Sequence, residues 1–152
     1  MINLIRVTVL DNQKNVVSVE AMLEVALNVE EVQIDTSPDA VTEKTAKKIA
    51  ELLCISSMRL FCLYGIPDTF NFDEFSKFTP QLQKTCINMA FVDNISEEYI
   101  QKLNAYIDDA VKIGVTEIVP LYIVYPQQEQ RWEALTDLQQ LCYKKREEME
   151  KN

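Results

Sequence analysis

Met58-Arg59-Leu60-Phe61-Cys62-Leu63-Tyr64 is the stretch on which the fold turns. After Arg59 it is continuously apolar, and Gly65-Ile66-Pro67-Asp68 closes it. A short apolar run ended by Gly and Pro reads as a central strand covered on both faces. The segments beside it have helical patterns. Upstream, Ser37-Pro38-Asp39 reads as an N-cap, a proline at the first helical position and an acid in the first turn. Val41, Ala46, Ile49, Ala50, Leu52 and Leu53 then form the apolar side of a helix running to about Cys54. Downstream, Asn71 can cap with Glu74 at the third helical position, while Phe70 and Phe75 make a hydrophobic staple. Pro80 stops that helix near Phe78.

Further towards the N-terminus, Glu31-Val32-Gln33-Ile34-Asp35-Thr36 is a short alternating strand, and residues 3–10 alternate in the same way. Asp11-Asn12-Gln13-Lys14-Asn15 is a polar turn. Residues 17–29 carry two signals: apolar residues at every second position from Val17 to Val29, and a polar helical stripe through Glu20, Glu24, Asn28 and Glu31. Met22 and Ala26 would spoil the polar face of a strand and join the apolar side of a helix, so this stretch is read as helix, with Ser18 as its cap.

Towards the C-terminus, residues 85–92 fit a helix continuing from Pro80 or a buried strand, and helix is the reading adopted. From Ser96 to Ile113, Tyr99, Ile100, Leu103, Tyr106, Ile107, Ala110 and Val111 repeat at helical spacing, with Gly114 as a left-handed stop. Residues 116–125 form a strand in which Pro120 marks an edge or a bulge. Pro126 ends it, and residues 127–150 form an amphipathic helix. These alternations predict one α/β domain over residues 1–152, a small mixed, partly parallel sheet with helices packed on it.

The chain has 152 residues, 15 Lys+Arg against 24 Asp+Glu, and a net charge of −9. That sign disfavours duplex nucleic acid and anionic membrane surfaces as partners. The chain contains no histidine, which removes Ser–His, Cys–His and His–metal chemistry together. Its two glycines leave no phosphate-cradling loop. No secretory signal pattern and no spanning apolar segment are present, so a soluble cytoplasmic protein is expected. Cys54, Cys62, Cys86 and Cys142 form no C-x-x-C pair, and buried, reduced thiols are expected.

Candidate sites follow from placement. Strand ends should present Tyr64 and Asp68 from one strand and Tyr125 from another, a small ligand pocket in the manner of open α/β sheets. Paired acids such as Asp73-Glu74 and Asp108-Asp109 point about 100° apart on a helix and share no cation. On the last helix, Trp132, Leu135, Leu138, Cys142 and Met149 form a stripe that serves either the chain's own core or a partner. No catalytic residue, metal ligand or cofactor is assigned. The leading expectation is a non-enzymatic, intracellular, acidic binding or regulatory protein, its partner another protein with a basic surface. A small-molecule-binding domain or enzyme using Tyr64, Asp68 and Tyr125, and a homo-oligomer assembled through the last helix, are the alternatives.

Overall fold

A computed structural model describes residues 2–4 and 9–151, except the side chains of 2–4. Strand β3, Leu60–Ile66, is third of five in a sheet whose spatial order is its sequence order. The others are β1 (Ile2–Leu4), β2 (Glu31–Asp35), β4 (Cys86–Phe91) and β5 (Tyr122–Val124). All four pairings are parallel, so the sheet is not mixed among the described residues. The helices are α1 (Val19–Glu24), α2 (Thr45–Ile55), α3 (Phe72–Ser76), α4 (Glu97–Ile113) and α5 (Gln130–Glu150). Of the proposed strand at residues 3–10, positions 5–8 lie outside the described residues. Leu10 instead bridges Val16 across the predicted polar turn.

Parallel strands need crossovers, and right-handed crossovers that all step the same way lay every connection on one side of the sheet. Burial agrees. Val32, Ile34, Phe61, Leu63, Ile87, Met89 and Ile123 alternate along their strands and share one core with Leu23, Ile49, Leu53, Phe72, Phe75, Leu103, Ile107 and Leu135 from all five helices. Each such side chain contributes about 1.5–3 kcal/mol on burial. The result is two layers, helices on sheet. The double covering expected for β3 is therefore incorrect: Phe61 and Leu63 are fully buried, while Tyr64 on the opposite face is 37% exposed.

Several local signals act as written. Ser18 accepts from the Ala21 amide, Ser96 from the Tyr99 amide, and Asn71 from the Glu74 amide at 3.1 Å. The Phe70–Phe75 staple closes at 5.7 Å between ring centroids. The Glu74 carboxylate turns to Lys77 at 3.0 Å, so only half of the capping box forms.

Other readings are corrected. Ser37-Pro38-Asp39 starts only a single 3₁₀ turn over Pro38–Ala40, and Ser37 makes no capping bond. Val41 returns to extended backbone, and the helix begins at Thr45, whose Oγ1 accepts from the Thr42 amide and donates to Glu20. The stretch 85–92 is strand β4, with Ile87, Met89 and Phe91 buried against the helices. Its other face, Cys86, Asn88 and Ala90, needs no apolar cover, which hid the period of two. The last helix begins at Gln130 because Gln127 and Glu129 have φ of 60° and 45°. Between them, buried Gln128 donates to the Ile123 carbonyl and accepts from the Tyr125 amide, fastening the corner after β5.

Candidate functional site

Among the described residues, all five helices pack their buried side chains on one face of the sheet and leave the second face without a helical layer. Its rows follow from the register: Glu31, Leu60 and Cys86 are aligned, as are Gln33, Cys62, Asn88 and Tyr122. Asp35 pairs with Tyr64, and Ala90 with Val124. At a spacing of ~4.8 Å per strand, five strands make a face about 20 Å across. All of these residues are half-buried or exposed except Cys62. The Cys62 thiol receives the Asn88 amide at 3.5 Å and the Tyr64 hydroxyl lies against it. That contact, followed by partial burial, pushes the Tyr64 pKa up to about 12.

Helix α5 runs along the β5 edge and extends this face. Leu135 enters the main core, while Leu138 and Cys142 pack with Val119 and Ala110 in a smaller one. These three residues of the stripe therefore serve the chain's own packing. Trp132 and Met149 are exposed. The Trp132 indole N–H donates to the Tyr122 hydroxyl at 2.8 Å, which draws the indole to the rim of the open face. Tyr143, one turn past Gln139, lies beside Cys86; burial, then its approach to the Cys86 thiol, pushes its pKa up to about 12. Tyr64, Val124, Trp132 and Tyr143 are each 37–43% exposed. With the half-buried Tyr122 they form a mainly aromatic border around a polar centre.

The three strand-end residues do not converge. Tyr64 is on the open face. Tyr125 is buried on the helix-covered side, its hydroxyl donating to Asn104 on α4 at 2.8 Å. Asp68 accepts from the Ser96 amide at 3.2 Å and so braces the start of α4. Of the four cysteines, all unpaired, Cys62 and Cys142 are buried, Cys54 is half-buried and Cys86 is exposed, contrary to expectation. Sequence reasoning also passed over Tyr122, Val124, Asn88 and Tyr143. Asn88 inside an apolar run was the available signal, since a buried strand tolerates an amide only where one face is wet.

No family model, curated protein or solved structure matches the chain. Among the described residues no helix is long and apolar enough to cross a membrane. The open face carries the Tyr64 and Tyr122 hydroxyls, the Gln33 and Asn88 amides and the Glu31 carboxylate.

Proposed function

We propose that the chain is a non-enzymatic, acidic binding or regulatory protein that docks another protein on its open sheet face. The observation that carries this reading is the uncovered face itself. Parallel sheets are ordinarily covered on both sides, and exposed Tyr and Trp around a patch are the side chains that most often anchor interfaces. Glu31 and Asp35 line the β2 side of the face, and its strands contribute no lysine or arginine there. The partner that fits has an apolar centre that packs on Tyr64, Tyr122 and Val124, and cationic side chains where it meets β2. The reading takes the cytoplasm as the working compartment, where unpaired cysteines are the usual state.

The test is affinity capture from the native host with the wild-type chain, a Tyr64→Ser/Tyr122→Ser double variant and a Val111→Ser control on exposed α4. Captured protein should be lost with the double variant and kept with the control. Hydrogen exchange in the complex should slow in β2–β5, and added salt should weaken binding. A complex indifferent to the double variant, with protection mapped to the helices, would overturn the reading. If a second copy of the chain covers the face, sedimentation will show a dimer that the double variant abolishes, and the partner of different sequence is refuted.

A further inference from the structure

Among the described residues, α5 joins the rest of the domain through one short connection, residues 126–129, and that connection is strained. Pro126 has its φ fixed at about −65° and favours extended backbone at Tyr125, so the chain leaves β5 straight. The reversal that lays α5 back along β5 therefore falls on three residues. Gln127 has φ of 60°, and Glu129 has φ of 45° with ψ of −124°. Neither is glycine, and the Glu129 combination is one that an L side chain rarely adopts. Both side chains are exposed, and neither forms a hydrogen bond among the described residues; Glu129 adds only its charge near Arg131. The strain thus positions no side chain in a site. It comes from folding α5 back onto its own chain.

The packing of α5 does not depend on that reversal. Leu135 enters the main core, while Leu138 and Cys142 belong to the smaller one with Val119. The Trp132 indole reaches Tyr122, and Gln139 Nε2 donates to the Pro120 carbonyl. Arg131 pairs with Asp108 on α4 through two bonds of 2.8 and 3.0 Å. These partners lie outside the connection, so the α5 of a second copy can make the same contacts once the connection straightens. Exchange of an element through a short strained hinge is a low-cost route to a dimer. One residue opposes it. Buried Gln128 holds the corner closed through the Ile123 carbonyl and the Tyr125 amide, and opening the hinge gives up both bonds. We propose that two copies of the chain form a dimer by exchanging α5, with residues 127–129 as the hinge. Strain at Gln127 and Glu129 favours the exchange, and Gln128 restrains it. Each open face then takes its Trp132 and Tyr143 from the other copy. Protein docking on that face does not require the exchange.

The experiment is refolding of the full chain from urea at low and at high protein concentration, with the products separated by size and weighed by light scattering. A dimer should form at high concentration and not at low. Gln127→Gly/Glu129→Gly, which relieves the closed hinge, should lower the dimer-to-monomer ratio by at least about tenfold. Gln128→Ala, which removes the restraint, should raise it several-fold, and Tyr64→Ser should leave it unchanged. A mixture reads the exchange itself. Chains carrying Asp108→Arg and chains carrying Arg131→Asp each oppose like charges within one copy, whereas exchange between them restores both pairs. Native mass spectrometry of the two refolded together should find more mixed dimer than random pairing gives. The glycine pair and the mixture decide the matter should Gln128→Ala fail to fold. A wild type that stays monomeric at every concentration would overturn the proposal, as would a dimer indifferent to the glycine pair. So would mixed dimer at or below its random share, or a dimer lost in Tyr64→Ser.

Discussion

Gly65 shows how one residue shapes the strand exit. Its φ is +72°, and a Cβ there would sit 2.8 Å from the Thr36 carbonyl oxygen and 3.0 Å from Asp35 Oδ1. The backbone oxygen cannot move aside without unpairing β2 from β3, since the Thr36 amide donates to the Tyr64 carbonyl. Gly65→Ala should therefore cost about 1–3 kcal/mol or more from the strained conformation and the contact together. Urea denaturation checks this as a lowered midpoint with an unchanged slope. Gly114 has φ of +80°, and a methyl group added there would meet nothing within 4 Å, so alanine carries only the conformational cost. The sequence marked both glycines as stops. It did not distinguish them, because the difference lies in what a distant strand brings near.

At the scale of elements, legibility followed the number of independent signals. Helix α4 had seven apolar residues in register and a glycine stop, and it forms from Glu97 to Ile113 as read. The stretch 85–92 had only an apolar run, and the choice between helix and strand depended on whether Asn88 and Cys86 would meet solvent. That is decided by the absence of a second helical layer among the described residues, which no local pattern encodes. Helix α5 shows the converse: its stripe was legible, its use was not. Since Leu135 is fully buried in the main core while Met149 is half exposed, Leu135→Ala should destabilise by about 2–5 kcal/mol. Met149→Ala should stay within about 0.5 kcal/mol. Thermal unfolding of the two variants separates them, and comparable losses would mean that the last turns of α5 are packed more firmly than their exposure indicates.

The whole molecule responds to alkali through its tyrosines. Burial raises the pKa of Tyr106 to about 12, and the same cause raises Tyr125 to about 12 and Tyr99 further still. The Tyr106 oxygen accepts from the Leu121 amide at 2.8 Å. The Tyr99 hydroxyl donates to the Phe70 carbonyl. In each case the folded state holds its proton to higher pH than the unfolded chain does. The contribution is fully present below pH ~10, the unfolded value, and is lost as pH rises through the folded values. Stability should fall from pH ~10 upwards, by as much as about 1.4 kcal/mol per pH unit for Tyr106 alone. Phenolate absorbance should show buried tyrosines ionising only as the chain unfolds; titration of all six before any loss of circular dichroism would contradict this assignment. The single α/β domain and its acidity were legible in composition and alternation. The bare face was not, because it depends on every crossover stepping in the same direction, a property of order along the sheet and not of any one segment.

That order also bears on how the chain is made. Each described strand pairs only with the strand synthesised just before it and the one just after it. A chain emerging at ~5–20 residues per second therefore offers, at every stage, a finished edge for the next strand and helix to join. No early strand has to wait for a distant one, and the loops that must close stay short, which favours rapid assembly. The exposed edge travels from β2 to β5 as synthesis proceeds. Helix α5 follows β5 and is tied to it by Trp132 and Gln139, so its docking shields part of the edge that β5 would otherwise present to a newly made strand.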